Sequence, residues 1–349
     1  MQREELKNQI RIIDKVAEQE CRRRWDAIAK PLHSLGRLED ALVKIAGITG
    51  DSVMHLEKKA LVIMCADNGV VEEGVTQTGP EVTAIVSENF LTGAATASVM
   101  CRHVGADVYP VDIGIRTDTK IINRKIAYGT KNMLKEPAMT TDEVRKAIEV
   151  GMDMVRELKE KGYGIIATGE MGIGNTTTSS AVTAVLLDKT VEEVTGRGAG
   201  LTSAGLNRKI TVIKESIAAR RPDTSDAVDV LSKVGGLDIA GLTGVFIGGA
   251  VYGVPILVDG FISAASALAA SMICPEAKHF MMASHVSKEP AMKMLLEALE
   301  LKASITCEMC LGEGTGAAAY FPLLDLASAV YRGMTTFEDN QIEQYQPLN

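Results

Sequence analysis

Ala60-Leu61-Val62-Ile63-Met64-Cys65-Ala66 is a continuous apolar run that stops at Asp67-Asn68-Gly69. A segment apolar on both faces and ended by a polar turn reads as a central strand of a parallel sheet, covered from either side. The same grammar returns along the chain. Val108–Val111 stops at Asp112-Ile113-Gly114, Gly164–Thr168 at Gly169-Glu170-Met171-Gly172, Val254–Val258 at Asp259-Gly260, and Phe280–Ala283 at Ser284-His285. Helical patterns fill the gaps, over about 81–103, 176–187, 203–220, 261–272 and 289–301, and from the capping box Thr140-x-x-Glu143 to about Lys161. Residues 2–24 and about 35–46 also read as helices. Strands alternating with helices define an α/β fold with a doubly wound parallel sheet. In such a sheet ligands sit beyond the carboxyl ends of the strands, where Asp67, Asp112, Glu170, Asp259 and His285 all fall.

At 349 residues the chain exceeds the roughly 250–300 at which one hydrophobic core stops growing. One large domain over 56–324 and a smaller helical domain built from both chain ends, 1–55 and 325–349, is the expected division. A net charge of −8 argues against nucleic acid as a partner, since phosphate backbones are bound through clustered Lys and Arg. Arg22-Arg23-Arg24 is the only basic run, and it reads as a solvated helix face. Six cysteines without regular spacing point to reduced thiols and a cytoplasmic location, and the charged N-terminus carries no signal-peptide pattern. The uncharged stretch Ile239–Val258 is long enough for a membrane span, but its five glycines and Pro255 suit a buried helix running into a buried strand. No membrane span is expected.

Two segments carry chemistry. Gly169-Glu170-Met171-Gly172-Ile173-Gly174-Asn175-Thr176-Thr177-Thr178 passes from strand through a glycine turn into a helix. Glycines admit a ligand close to the backbone, and the helix start offers free N–H groups, which together read as a phosphate cradle. It matches neither the P-loop nor the dinucleotide fingerprint, which argues against a nucleotide-dependent kinase or a dehydrogenase. A second glycine cluster, Gly196-Arg197-Gly198-Ala199-Gly200-Leu201, precedes a helix bearing Arg208 and Lys209, where a lysine either reaches an anion or is solvated. Leu311-Gly312-Glu313-Gly314-Thr315-Gly316 sets a carboxylate between glycines before an apolar helix. From the residues alone, Glu313 is either a general base beneath a flat substrate or an acid favoured by a helix N-terminus. Cys307-x-x-Cys310 lacks a second pair for zinc and reads as two buried thiols near a strand; no metal and no cofactor are expected.

Taken together these segments resemble one family. Lys30-Pro31-Leu32-His33-Ser34-Leu35-Gly36-Arg37-Leu38-Glu39, Ala66–Val70, Gly74-Val75-Thr76 and Glu81-Val82-Thr83 lead, in order, to Gly169–Thr178 and Gly196–Leu201. Asp259-Gly260-Phe261, Ser284-His285-x-Ser287-x-Glu289-Pro290 and Leu311–Gly316 complete the set. From about Trp25 to Phe337 the chain is similar to the nicotinate-nucleotide–dimethylbenzimidazole phosphoribosyltransferases. The resemblance implies a Rossmann-like large domain, a homodimer, and a cavity closed by the neighbouring subunit's small domain. It implies transfer of the phosphoribosyl group of nicotinate mononucleotide to a benzimidazole-type base, with release of nicotinate, inversion at C1′ and an α-ribazole phosphate for the nucleotide loop of cobalamin. Glu313 would be the catalytic base and Glu170 a second functional carboxylate. Gly172, Gly174, Asn175, Thr176, Gly198, Lys209 and Ser287 would hold the nucleotide, chiefly its phosphate. Thr76, Met171 and Leu311 would line the pocket for the base. Members commonly carry His at Asn68, Tyr-Pro-Gln at Thr78-Gly79-Pro80, Gly at His33 and Arg at Cys310. The first two departures are expected near the base pocket and leave the acceptor open among dimethylbenzimidazole, other benzimidazoles, purines and phenolic compounds, and the Cys310 change bears on how the cavity balances charge.

Overall fold

A computed structural model describes Leu6 and residues 8–346. Six parallel strands form one sheet: β1 (Lys59–Ala66), β2 (Ala106–Gly114), β3 (Ile122–Asn123), β4 (Ile165–Met171), β5 (Ile256–Val258) and β6 (Met281–Ala283). Their order across the sheet is β3-β2-β1-β4-β5-β6, so the winding direction reverses between β1 and β4. A crevice opens at such a reversal, beyond the strand ends. Parallel registers such as Val62↔Tyr109 and Val62↔Thr168 flank β1 on both sides, which is why it has no exposed residue.

Period-two alternation along β1 sorts its side chains into two cores. Ala60, Val62 and Met64 join the layer built by α5 (Thr141–Glu160), α10 (Leu237–Tyr252) and α11 (Phe261–Ile273). Leu61, Ile63 and Cys65 face α1 (Lys15–Ala27), α2 (Arg37–Thr49), α4 (Thr96–His103) and α13 (Thr315–Gly333). Further α-helices among the described residues are α3 (Glu81–Thr92), α6 (Asn175–Leu186), α7 (Val191–Val194), α8 (Ser203–Arg220), α9 (Ala227–Val234) and α12 (Met292–Ala298).

The uncharged stretch is resolved as α10 leading into β5. Its glycines let α5 approach at backbone distance: a Cβ on Gly244 would meet the Ile148 carbonyl at 2.0 Å, and one on Gly151 the Gly241 carbonyl at 2.0 Å. Among the described residues no helix is long and apolar enough to cross a membrane. Both chain ends meet on the α1/α13 side. Trp25 packs on Tyr331 at 5.1 Å and Ile28 bridges Thr336. The Lys30–Glu39 motif forms a buried ion pair at 2.7 Å, with Glu39 also accepting the Leu35 N–H.

Several expected elements differ. The helix expected over 81–103 is two helices, ended at Gly93 in the left-handed region (φ +77°) and restarted at Thr96. That expected over 289–301 is confined to Met292–Ala298. The helix expected over 2–24 is interrupted at residues 11–14 and restarts behind the Asp14 cap, with residues 2–5 and 7 outside the described set. Cys307 and Cys310 are exposed, not buried: they sit on the irregular 301–314 loop, which no strand covers.

Candidate active site

A cavity of about 390 Å³ lies beyond β4, β5 and β6, a volume suited to a nucleotide-sized ligand. Its floor is the turn from β4 into α6. Gly174 holds φ +92° at the helix start, a conformation that favours glycine. At Gly172 a Cβ would fall 2.4 Å from the Ala66 carbonyl. No side chain caps α6; the Asn175 and Thr177 N–H groups donate to the Gly172 and Gly174 carbonyls, which leaves the Gly174 and Thr176 N–H groups for a ligand. The 195–202 loop forms a second wall, with Gly198 at φ +51°. Behind these walls, and fully buried, Lys209 Nζ donates to Thr176 Oγ1 at 2.9 Å and to the Gly196 carbonyl at 3.3 Å. No carboxylate among the described residues lies within ion-pair distance of it. Burial lowers its pKa to about 8, against the opposing pull of Glu289. A buried ammonium without a counter-ion is costly, and an anion in the cradle would supply one.

Glu170 ends β4 inside the cavity and is almost wholly buried. The Asn175 amide donates to its Oε2 and, at 3.0 Å, to Asp238 Oδ2. Burial first, and then the Asp238 charge, push the Glu170 pKa well above the usual carboxylate range. Burial raises Asp238 to about 6 and Asp259 to about 7. A carboxyl whose folded pKa is raised costs stability once it ionises, and the cost disappears as pH falls towards the unfolded pKa. For Asp238 the shift from 3.8 to about 6 is worth about 3 kcal/mol at roughly 1.4 kcal/mol per unit. Asp238→Asn is therefore expected to resist denaturant better than wild type at about pH 8. Its advantage should shrink as pH falls from about 6 to 4, as read from unfolding midpoints.

Glu313 lines the same cavity, on the turn before α13 that packs against the end of β4, with φ +61°. Its Oε2 accepts the Ala97 N–H at 3.1 Å, so it caps the uncapped start of α4 from across the chain. Burial raises its pKa, opposed by the Ala97 and Thr96 N–H groups. Its own helix is fastened by Asp259, whose Oδ1 accepts the Ala317 N–H at 2.9 Å. His285 also faces the cavity, with Nδ1 3.2 Å from Ser284 Oγ and a pKa lowered by burial.

Glu170, Glu313, Gly172, Gly174, Asn175, Thr176, Gly198, Ser287, Thr76, Met171 and Leu311 all line this cavity. Lys209 lies behind the wall and reaches it through Thr176. Thr76 folds its hydroxyl onto the Thr78 carbonyl at 2.8 Å, and Leu311 is 55% exposed at the cavity edge. Of the strand-end residues, Glu170, Asp259 and His285 line the cavity, but Asp67 and Asp112 do not. Those two form turns: Asp67 accepts the Arg116 N–H, and Asp112 accepts the Ile115 N–H and pairs with Lys125 at 3.1 Å. Thr78 and Cys310 border the cavity, whereas Asn68 lies beneath the glycine turn and contacts the Ile173 carbonyl. Asp238 is the residue that motif reading misses. An acid in the first turn of a helix looks like a dipole partner.

A glycine cradle backed by a buried lysine, with a carboxylate lining the same cavity, is the architecture of a group-transfer enzyme for phosphorylated substrates. Residues 10–342 match the family model described as Phosphoribosyltransferase. Over 328 residues the chain is 53% identical to the nicotinate-nucleotide–dimethylbenzimidazole phosphoribosyltransferase of Acetivibrio thermocellus, covering 93% of each chain. It is 50% identical to the enzyme of that name from Ruminiclostridium cellulolyticum, over 99% of each. The crystal structure of CobT from Thermus thermophilus superposes with a TM-score of 0.89 at 34% identity, covering 95% of this chain and all of that one. The chain belongs to the nicotinate-nucleotide–dimethylbenzimidazole phosphoribosyltransferase family, and is a pentosyltransferase.

Proposed function

We propose that the cavity transfers the phosphoribosyl group of nicotinate mononucleotide to dimethylbenzimidazole or a related base, forming an α-ribazole phosphate for the nucleotide loop of cobalamin. The observation that carries this reading is the buried ammonium of Lys209, without a counter-ion, behind a glycine cradle whose cavity Glu313 also lines. The phosphate would sit on the α6 N-terminus among Gly172, Gly174, Asn175, Thr176, Gly198 and Ser287, with Lys209 behind Thr176. Met171, Thr76 and Leu311 offer the acceptor ring an apolar edge.

The chemistry then asks little of the protein. A nitrogen lone pair of the acceptor attacks C1′ as the bond to the pyridinium breaks, and that electron pair returns to the nicotinate ring. The leaving group needs no proton. The acceptor becomes cationic as it bonds, and its other N–H passes its proton to Glu313. One displacement inverts C1′. Glu170 orients the ribose or stabilises its growing positive charge; a Glu170→Gln enzyme with full turnover would contradict that role. Positioning the two rings about one ribose supplies much of the remaining rate.

A helical unit of residues 1–55 and 325–349, against a catalytic unit of 56–324, is supported by the Trp25–Tyr331 and Ile28–Thr336 contacts. The exposed Leu311 at the cavity edge supports a homodimer in which the partner's helical unit covers the site. Six unpaired thiols suit the cytoplasm. The purified chain, given nicotinate mononucleotide and a panel of benzimidazoles, purines and phenols, should release nicotinate only when an acceptor is present. Silence with every acceptor would refute the transferase reading, and the ranking of rates names the acceptor.

A further inference from the structure

Asp238 is fully buried in the first turn of α10, beneath the cradle and outside the cavity wall. Its Oδ2 takes the Asn175 amide at 3.0 Å, while Oδ1 has no partner. Bare glycines make room for it. A Cβ on Gly236 would come within 2.5 Å of Oδ1, and one on Gly172 within 3.0 Å of Oδ2. Burying a carboxylate this way costs free energy that no ion pair returns. The Asn175 nitrogen that reaches Asp238 also donates to Glu170 Oε2. Glu170 in turn lies against the turn that carries Glu313: the Glu313 backbone N–H is near enough to lower its pKa, and a Cβ on Gly312 would lie 2.5 Å from Glu170 Oε1. Glu313 holds φ +61°, a region that a non-glycine residue keeps only where its surroundings impose it. Two hydrogen bonds from Asn175, strong in a dry environment, and the close packing of Glu170 on residues 312–313 therefore connect Asp238 to the turn that carries Glu313.

We propose that Asp238 is a positioning residue for the transfer, acting through the Asn175 amide to fix the Glu170 carboxyl and, through it, the Glu313 turn. The inference rests on the transferase reading of the cavity and on Glu170 working within it.

A kinetic double-mutant cycle tests it, with nicotinate mononucleotide and dimethylbenzimidazole as substrates and Asp238→Ala, Glu170→Gln and their combination as enzymes. Asp238→Ala is expected to lower kcat about 10–100-fold, the scale seen when an outer partner of a functional group is lost. KM for the nucleotide should change less than kcat, because Asn175 keeps its bond to Glu170 and the rest of the cradle and Lys209 are untouched. Asp238→Asn keeps an acceptor for Asn175 and should lose less; being isosteric, it can replace the alanine variant in the same cycle should that one fail to fold. In the Glu170→Gln background the Asp238 change should add nothing, a non-additivity that a merely structural role would not produce. An impaired Glu170→Gln beside a fully active Asp238→Ala, or losses that multiply, would overturn the relay alone. A fully active Glu170→Gln would overturn the relay and the role of Glu170 together. A wild-type chain silent with every acceptor would point instead to failure of the transferase reading.

Discussion

Glu313→Gln should slow acceptor-dependent release of nicotinate about 10²–10⁴-fold, the usual worth of a positioned general base, while nicotinate mononucleotide still binds. The separation follows from the geometry. Phosphate recognition belongs to the α6 start, the 195–202 loop and Lys209, none of which touches the Glu313 carboxylate. Glutamine retains an oxygen for the Ala97 N–H, so α4 keeps its cap and the substitution isolates proton transfer. Glu313→Ala removes the cap as well and should cost about 1 kcal/mol of stability in addition. Burial raises the Glu313 pKa, so the wild-type rate should fall on the acid side as the carboxylate is protonated. That limb should be missing from the residual activity of the glutamine enzyme. Steady-state kinetics against pH, with calorimetric binding of the nucleotide, read both quantities. A glutamine enzyme with the wild-type rate would remove Glu313 from the chemistry.

Lys209→Met should weaken nucleotide binding about 10–100-fold, because a hydrogen bond to a charged group is worth about 1.5–3 kcal/mol. The same change should alter stability with a defined pH signature. The folded pKa lies at about 8 against the ordinary 10.5, so the charged lysine costs stability at every pH below about 8. At about 1.4 kcal/mol per unit the cost is roughly 3–4 kcal/mol. For a lysine with a lowered pKa this cost is relieved as pH rises from about 8 towards 10.5. The methionine variant should therefore compare best with wild type below about pH 8 and lose ground above it. Lys44, also lowered to about 8 by burial, is common to both proteins and cancels in the difference. Unfolding midpoints across that range measure it; a difference independent of pH would mean that Lys209 is not buried as a charge.

How much of this was legible in the sequence depends on how far apart the cooperating residues lie. The Ala60–Ala66 run could be read because both of its faces are buried, and it becomes the central strand. The cradle could be read because glycines, a turn and a helix start are contiguous at Gly169–Thr178. The strand order could not, since it depends on pairings between distant segments. Strand β3, only Ile122–Asn123, is too short to carry a period. The break in the helix expected over 81–103 was hidden for the same reason: the carboxylate that caps its restart belongs to Glu313, 216 residues away. Asp67 and Asp112 looked equivalent to Glu170 at strand ends, yet local N–H groups and Lys125 claim them for turns. Asp238 looked like an ordinary helix-start acid, because its tie to Asn175 spans 63 residues.

The measurement closest to the central claim is the anomeric configuration and stoichiometry of the product formed by the purified chain from nicotinate mononucleotide and dimethylbenzimidazole. One nicotinate released for each α-configured ribonucleotide formed is the expected result, since a single displacement inverts C1′. A β-configured product, or nicotinate released without any new nucleotide, would contradict it.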